Sequence, residues 1–428
     1  MPDRTTPPPT YPFGHMSMPV QTVETLPNGL TMHYFRGGDQ PICSLSVIFP
    51  GGAAEHDEAA GRMAVNLLTE GTASHSADQL AEIIDFNGAK LGGVHMRHHT
   101  DIRLVALEHR IKDMLPVIAE IIAEPTFDAK RLQVAKIKAI NELQTLRMDV
   151  SAVASDESNR LIYGSGHPLA HITVPEEIEQ LTPEILAAIH KGIINPARAH
   201  AFMSGYFTDD ILDSVRAMLA AIPPLSEGTP LNISPGIPAK GGTIVKIPFE
   251  SSMQSAISIS IPSIPRSHPD YIPLRMAVTA LGGYFGSRLM TNIREEKGLT
   301  YGIRAMLCGS LEGSYVGIMA RCDKSYAYTV TDEIKKELLL LASEPPRGEE
   351  LERLKTHLAS ELADNLDSPS KVMQYYRNII TFGTPADYFE QQQRHLAALT
   401  DTTIADMADK YLRPEMLLTA IAGAPDIP

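Results

Sequence analysis

Two hydrogen-bond donors of different geometry stand seven residues apart in the second half of the chain. Arg294 and Tyr301 lie in the stretch NIREEKGLTYG, residues 292–302. The Arg294 guanidinium offers a rigid fork of N–H donors, and the Tyr301 hydroxyl adds an O–H donor. Such donors stabilise negative charge that develops on a carbonyl oxygen. We predict that a helix carrying Arg294 ends near Gly298 and that Tyr301 opens the strand that follows.

Three histidines form a second group with possible chemistry. His95, His98 and His99 occur in GGVHMRHHT, residues 92–100. If this segment is one strand, His95 and His99 share a face and His98 points to the other. Imidazoles bind metal ions, but no carboxylate is spaced for a known site. We therefore interpret the segment as a solvated or chamber-lining strand.

The sequence offers no other recognisable catalytic pattern. The glycines at 282–286 lack the G-x-G-x-x-G spacing and the strand-to-helix context of a nucleotide-binding loop. No G-x-S-x-G occurs, which disfavours the mechanism of the α/β-hydrolases. Cys43, Cys308 and Cys322 form no C-x-x-C pair, so neither a disulfide framework nor a cysteine-ligated zinc site is predicted.

The composition is that of a globular protein with an acidic surface. The chain has 428 residues and contains 37 Lys and Arg against 51 Asp and Glu, a formal net charge of −14. Such a surface repels phosphate backbones, so a general nucleic-acid role is disfavoured. No apolar run approaches the ~18 residues of a membrane helix, and the first residues lack a secretory-signal pattern. We predict a cytoplasmic protein that acts neither on nucleic acid nor in a membrane.

Hydrophobic periodicity predicts strands followed by helices in each half of the chain. In the first half, segments with strand-like patterns at 31–35 and 42–50 precede segments with helical patterns at 108–123 and 128–147. The elements predicted in the second half are strands at 243–249 and 255–264, helices at about 271–282 and 286–297, a hairpin of 300–308 with 314–321, and helices through much of 326–410.

Three pairs of features recur at a constant offset of 218 positions, which predicts an internal duplication. The pairs are Leu181-Thr182 with Leu399-Thr400, Asn195-Pro196 with Arg413-Pro414, and Gly205 with Gly423. The expected fold class is α+β, with two homologous domains in which helices pack on a sheet. The predicted organisation is a flexible Pro-rich arm at 1–19, a first domain at 20–221, a Pro- and Gly-rich linker at 222–242, and a second domain at 243–428.

Residues 282–302 resemble a motif of the pitrilysin-type (M16) zinc metallopeptidases. GGYFGSRL at 282–289 and IREEKGLTYG at 293–302 are similar to the Arg/Tyr motif of that family, with Arg294 and Tyr301 as the pair. Weaker similarity extends to NGL at 28–30, FPGGAAEHDE at 49–58, LLTEGT at 67–72 and GSGHPLAH at 164–171. The resemblance covers about 20–428 and implies two α/β sandwich domains, each a mixed, mostly antiparallel sheet covered by helices.

Active members of that family carry H-x-x-E-H on a helix just before a Gly-Thr pair, where the histidines bind zinc and the glutamate is the general base. An ungapped count back from Gly71-Thr72 places Arg62, Val65 and Asn66 at the His, Glu and His positions. A frame shifted by two residues places Ala64, Leu67 and Leu68 there instead. Neither frame offers a ligand or a base, so the resemblance implies a degenerate zinc motif.

A third zinc ligand of the family, a glutamate, comes from a later helix. Glu142, in AINELQ, falls at that position. We interpret it as a relic, because one carboxylate does not make a zinc site.

The free energies that zinc and the Arg/Tyr pair can each contribute to catalysis indicate whether the pair could replace the metal. Zinc lowers the pKa of its bound water from 15.7 to about 7, which is worth on the order of 12 kcal/mol of nucleophile activation. An oxyanion donor contributes ~3–4 kcal/mol. The Arg/Tyr pair therefore cannot replace the metal, and we expect no peptidase activity and no cofactor in this chain alone.

In two-subunit members of the family, one subunit carries zinc and the other carries the Arg/Tyr pair. The resemblance therefore implies a non-catalytic subunit that donates Arg294 and Tyr301 to an H-x-x-E-H partner, in which the zinc is expected. The substrate would be a peptide or an unfolded segment, which could add as a strand to an exposed edge at 255–264 or 300–308. Two alternatives remain open: a scaffold without peptidase role, or a self-sufficient metallohydrolase that uses the three histidines with Glu142.

Overall fold

Each half of the chain builds one sheet with helices packed against it. The computed structural model describes residues 14–249 and 252–423. The strands are β1 (Thr22–Thr25), β2 (Thr31–Arg36), β3 (Ile42–Pro50), β4 (Lys90–His95), β5 (His99–Leu107), β6 (His200–Gly205), β7 (Ile244–Ile247), β8 (Gln254–Ser263), β9 (Thr300–Cys308), β10 (Ser314–Asp323) and β11 (Leu418–Ala422).

The helices fill the sequence between these strands. They are α1 (Glu58–Asn66), α2 (Ala77–Phe86), α3 (Ile111–Ala123), α4 (Ala129–Arg147), α5 (Val150–Tyr163), α6 (Pro175–Glu179), α7 (Pro183–Ile193), α8 (Asp209–Ala220), α9 (Tyr271–Gly282), α10 (Ala327–Ser343), α11 (Gly348–Asp364), α12 (Pro369–Phe382), α13 (Tyr388–Ala397) and α14 (Asp401–Tyr411). Met290–Glu296 is π-helical, and short 3-10 turns occur at Glu108–Arg110, Pro168–Ala170, Pro196–Arg198, Lys324–Tyr326 and Pro414–Met416. Within the described ranges, no helix has the length and apolarity needed to cross a membrane.

The two sheets share one topology, apart from β1, which is an additional edge strand of the first sheet. The first is 6-stranded with the order β1-β2-β6-β3-β5-β4, and the second is 5-stranded with the order β7-β11-β8-β10-β9. Each contains one parallel pair, β2 with β6 and β7 with β11, while the other neighbours are antiparallel. These mixed, mostly antiparallel sheets confirm the predicted α+β class.

The repeated sequence features are structural signals that recur in both halves. Thr182 and Thr400 are the N-caps of α7 and α14, where each hydroxyl accepts the N–H three residues later. Gly205 and Gly423 both adopt positive φ, 113° and 79°, a region in which a side chain would be strained. The offset therefore marks equivalent caps and strand ends of a duplicated domain.

Helices are exchanged between the two halves. The α5 helix of the first half packs on β8 and β11 of the second sheet, and Val150 and Ala154 join a buried cluster with Ala256 and Ala422. In return, α12 of the second half packs on β6 and β2, and Met373 lies against the first sheet. Because each sheet is covered by a helix from the other half, the two halves form one folded unit.

Two buried ionic contacts cross between the halves. On one side, His98 Nε2 lies 2.5 Å from Glu312 Oε1, in the loop that joins β9 and β10, and His98 Nδ1 lies 3.0 Å from Glu55 Oε1. On the other, Arg377 of α12 lies 2.7 Å from Asp101 of β5, with both side chains almost fully buried. Buried charges persist only when they are paired, so these contacts fix how the halves meet.

The predicted arm and linker lie against folded parts of the chain where they are described. Residues 1–13 of the arm lie outside the described residues. Met16 N–H donates to Gln393 Oε1 at 2.9 Å, which anchors this part of the chain on the second half. Residues 222–243 contain neither helix nor strand, yet Ile237 N–H donates to the Tyr163 carbonyl at the end of α5. The domain limits remain a prediction.

Candidate functional site

Arg294 lies on a π-helical segment and not on a regular α-helix. Its neighbours Leu289 and Ile293 are fully buried and anchor the segment in the core of the second half. The Lys297 N–H bonds to the Asn292 carbonyl, five residues earlier, and Gly298 ends the segment with a φ of 62°. The predicted end near Gly298 is thus confirmed. π-Helical turns are frequent at functional sites.

The Arg294 side chain is held on two sides. Its Nε donates to the Tyr301 carbonyl at 3.0 Å, and its guanidinium carbon lies 4.9 Å from the centroid of the Phe285 ring. Within the described residues, no carboxylate lies within ion-pair distance of Arg294. The cation–π contact and one hydrogen bond orient the guanidinium group of Arg294, and its two terminal nitrogens remain available to a ligand.

Tyr301 is presented to solvent. Its side chain is 94% exposed although it stands at the start of a strand. The structure therefore joins the Arg294 side chain to the Tyr301 backbone and leaves the Tyr301 side chain exposed to solvent. Sequence reasoning missed Phe285, a 63% exposed aromatic residue between two glycine-containing turns. The sequence signal that could have identified Phe285 is its position about one turn before the helical segment that carries Arg294.

The strand that carries Tyr301 is an edge of its sheet. Among the described strands, β9 pairs with β10 on one side only, so its other side is free to accept a further strand. The prediction of an edge at 300–308 is confirmed. The alternative edge at 255–264 is wrong, because β8 lies between β10 and β11. A local strand pattern does not reveal which neighbours later parts of the chain supply.

The degenerate zinc positions carry no groups that fit zinc. Arg62 of α1 is exposed and lies 3.7 Å from Glu58. Val65 is buried against β4, and Asn66 is exposed at the end of α1. The alternative frame, shifted by two residues, places apolar side chains at these positions. All three are buried in the core of the first half: Ala64, Leu67 and Leu68. Zinc binds thiolates, imidazoles and carboxylates, and neither frame contributes any of these.

Glu142 lies apart from any metal-ligand group. It is on the exposed face of α4, where its carboxylate lies 3.9 Å from Lys138 Nζ. This face borders an open, mostly apolar groove lined by Val134, Ile137 and Leu146. Within residues 14–249 and 252–423, no cluster of three or more His, Cys, Asp or Glu side chains is arranged to hold a metal ion.

The histidine segment is a hairpin and not one strand. The β4 strand ends at His95 and β5 begins at His99, so His98 lies in the turn between them. The prediction that the three histidines lie on one strand is wrong, because the residues between β4 and β5 reverse the chain. His98 Nδ1 is hydrogen-bonded to Glu55 and its Nε2 is in ion-pair contact with Glu312, so both ring nitrogens face carboxylates and neither is free for a metal ion.

The three imidazoles have different protonation states. Burial lowers the pKa of His95 to about 4, assisted by nearby His56, and burial with Arg377 lowers the pKa of His99 to about 4. Burial also disfavours the charged form of His98, but its contacts with Glu312 and Glu55 prevail and raise its pKa to about 9. His95 and His99 are therefore neutral at pH 7, whereas His98 is a cation that joins the two halves.

Comparison with known proteins supports the resemblance. Residues 180–358 match the family described as "Peptidase M16 inactive domain". The "Uncharacterized zinc protease YmxG" of Bacillus subtilis (strain 168) is 20% identical over 322 residues, which are 74% of this chain and 77% of that protein. A "Probable mitochondrial-processing peptidase subunit beta" of Arabidopsis thaliana is 21% identical over 434 residues, covering 96% of this chain and 80% of the other.

The fold matches as well. The crystal structure described as "peptidase M16 inactive domain from Pseudomonas fluorescens" superimposes with a TM-score of 0.86 at 22% identity, covering 95% of this chain and 98% of that one. The match at 180–358 contains both Arg294 and Tyr301. These findings confirm the resemblance: the chain has the fold of the M16 peptidases, and its residues 180–358 match the model of their inactive-domain family.

Proposed function

We propose that this chain is the non-catalytic subunit of a heterodimeric M16 metallopeptidase and that it supplies Arg294 and Tyr301 to the zinc site of a partner subunit. The observation that carries the proposal is an asymmetry between the two halves. The second half holds Arg294 against Phe285 and the Tyr301 carbonyl with its terminal nitrogens unpaired in the described structure. The first half places Arg62, Val65 and Asn66 where ligands would be required.

The two donors would act on the peptide and not on the metal. The Arg294 fork and the Tyr301 hydroxyl can both donate to a carbonyl oxygen of a bound peptide, and such donors are worth ~3–4 kcal/mol each when they face developing charge. The open edge of β9 lies next to them and can align an extended peptide by strand addition. A peptide or an unfolded segment is therefore the substrate class that we propose.

The partner would be an M16 chain that carries H-x-x-E-H, and any zinc of the complex would be held there. One relative of this chain is described as a subunit, the beta subunit of a mitochondrial-processing peptidase, which supports a two-subunit arrangement. We propose a cytoplasmic complex, and the free thiols of Cys43, Cys308 and Cys322 are compatible with a reducing compartment.

The test is a reconstitution with an H-x-x-E-H-bearing M16 chain from the same organism and a library of quenched fluorescent peptides. We expect hydrolysis by the mixture and none by this chain alone. Arg294→Ala and Tyr301→Phe should each lower kcat by about 10²-fold. Arg353→Ala and Tyr326→Phe, at other exposed sites of the same half, serve as matched controls and should leave kcat unchanged.

Complex formation is measured in parallel by size-exclusion chromatography, so that a loss of assembly is not mistaken for a loss of chemistry. Unchanged turnover in both Arg294→Ala and Tyr301→Phe would rule out the donated site. A stable complex with unchanged turnover would instead support a scaffold.

A further inference from the structure

The strand register places Tyr301 in a β-bulge. Along β9 and β10, Gly302 lies opposite Arg321 and Thr300 lies opposite Cys322, so that Tyr301 is an extra residue between two consecutive pairs. A bulge bends the strand locally and changes the direction of a side chain. Because the Tyr301 ring is almost fully exposed, the backbone of the bulge and not side-chain packing sets where its hydroxyl points.

The Thr300 hydroxyl spans this bulge. Its Oγ1 accepts from the Gly302 N–H at 3.1 Å and lies 2.6 Å from the Arg321 carbonyl oxygen, to which it donates. The Gly302 carbonyl, at 2.8 Å, competes for the same single proton. Thr300 is 8% exposed, so water has little access to replace these bonds. One buried hydroxyl thus joins both strands at the bulge.

We propose that Thr300 is a positioning residue for the Arg294–Tyr301 pair. It holds the bulge that turns the Tyr301 side chain outward, and the same bulge presents the Tyr301 carbonyl to Arg294 Nε. Without the hydroxyl, the Gly302 N–H and the Arg321 carbonyl lose their bridge. A local one-residue slip that removes the bulge would then turn Tyr301 toward the other face of the sheet. The catalytic consequence rests on the proposed function, whereas the structural role does not.

The structural role is tested on this chain alone. Incorporated 3-fluorotyrosine reports the environment of Tyr301 by ¹⁹F NMR, and the signal is assigned by its loss in Tyr301→Phe. Thr300→Val keeps the shape and lacks the hydroxyl, whereas Thr300→Ser keeps the hydroxyl. We expect a shifted or broadened Tyr301 signal in Thr300→Val and a wild-type signal in Thr300→Ser. An unchanged signal in Thr300→Val would overturn the proposal.

A second measurement does not depend on any variant. In the wild-type chain, the Gly302 amide should be protected from hydrogen exchange, because it donates to the Thr300 hydroxyl. Exchange of the Gly302 amide as fast as that of an unstructured peptide would also overturn the proposal, even if Thr300→Val failed to fold.

Activity separates this proposal from the one on which it rests. In the reconstituted complex, Thr300→Val should lower kcat by on the order of 10²-fold, as expected for a donor displaced by about 1 Å, and Thr300→Ser should restore it. If Tyr301→Phe lowers kcat and Thr300→Val does not, the positioning role is wrong and the donated site stands. If neither lowers kcat while the ¹⁹F signal of Thr300→Val still shifts, the donated site is wrong and the structural role of Thr300 stands.

Discussion

Replacement of Glu312 by glutamine tests the buried charge network between the two halves. Glu312 is 5% exposed, and its carboxylate meets His98 Nε2 at 2.5 Å. Burial opposes the charged form of Glu312, but the ion pair with His98 and a hydrogen bond from Ser310 prevail and lower its pKa to about 2. Glu312→Gln keeps the shape of the side chain and removes its charge, so the cationic His98 keeps only Glu55 as an anionic partner.

The size of the effect follows from the pKa of His98. A rise from 6.5 to about 9 corresponds to about 3 kcal/mol, and solvent screening around the imidazole reduces this to about 1–2 kcal/mol. Because the folded-state pKa is raised, this stabilisation is fully present below pH 6.5 and is lost as the pH rises toward 9. We therefore expect Glu312→Gln to cost more at pH 6 than at pH 9.

The assay is urea unfolding of the wild type and of Glu312→Gln at pH 6, 7.5 and 9. The difference between the two free energies of unfolding isolates the network, because the other histidines titrate in both proteins. Glu349→Gln removes a 95% exposed carboxylate, and this control should change stability by less than about 0.5 kcal/mol. A cost of Glu312→Gln that is as small as the control, or that grows from pH 6 to pH 9, would refute the reasoning.

Two further predictions concern packing and acid sensitivity. A Cβ at Gly61 of α1 would lie 2.3 Å from His95 Nε2, whereas one at Gly192 of α7 would meet no atom within 4 Å. We expect Gly61→Ala to lower the free energy of unfolding by about 1–2 kcal/mol and Gly192→Ala to raise it by up to about 1 kcal/mol, as measured by urea denaturation; equal effects would contradict this. Burial lowers the pKa values of His95 and His99 to about 4, so the stability from keeping them neutral is present above pH 6.5 and is lost as the pH falls toward 4. The free energy of unfolding should fall between pH 6.5 and 5, by on the order of 1 kcal/mol per histidine, and a constant free energy of unfolding would show that these imidazoles are not buried as described.

Local features of the fold could be predicted from the sequence. At the start of α2, Ser76 and Gln79 form a capping box, which their three-residue spacing in the sequence permits, and Gly88 follows the helix with a φ of 56°. The hairpin of β9 and β10 also has nearly its predicted limits. Such features depend on residues only a few positions apart, so the side chain and the residue whose backbone it bonds can both be identified from a short stretch of sequence.

Features set by distant parts of the chain could not be predicted. β8 is an internal strand because β11, from the end of the chain, pairs with it. The partner of His98 is Glu312, more than two hundred residues away. The contact between Arg294 and Tyr301 follows from their spacing across a helix end, but the bulge at Tyr301 depends on the register with β10, which no local pattern fixes.

The exchange of α5 and α12 between the halves affects how variants should be interpreted. A substitution in α5 acts on the second sheet, which also carries Tyr301, and one in α12 acts on the first. Truncation at the predicted linker would therefore expose β8 and β11 together with the helix face that covers them. Variants should be studied in the full chain, where both sheets keep their covering helices.

The central claim is that this chain completes an active site whose zinc belongs to another subunit. The most direct measurement is the initial rate of peptide hydrolysis by a fixed amount of the H-x-x-E-H-bearing chain as this chain is added. The account predicts that the rate rises and saturates at an equimolar ratio, and that Arg294→Ala saturates at the same ratio with a much lower plateau. Hydrolysis that is independent of the added chain, or cleavage by this chain alone with a tightly bound metal ion, would contradict it.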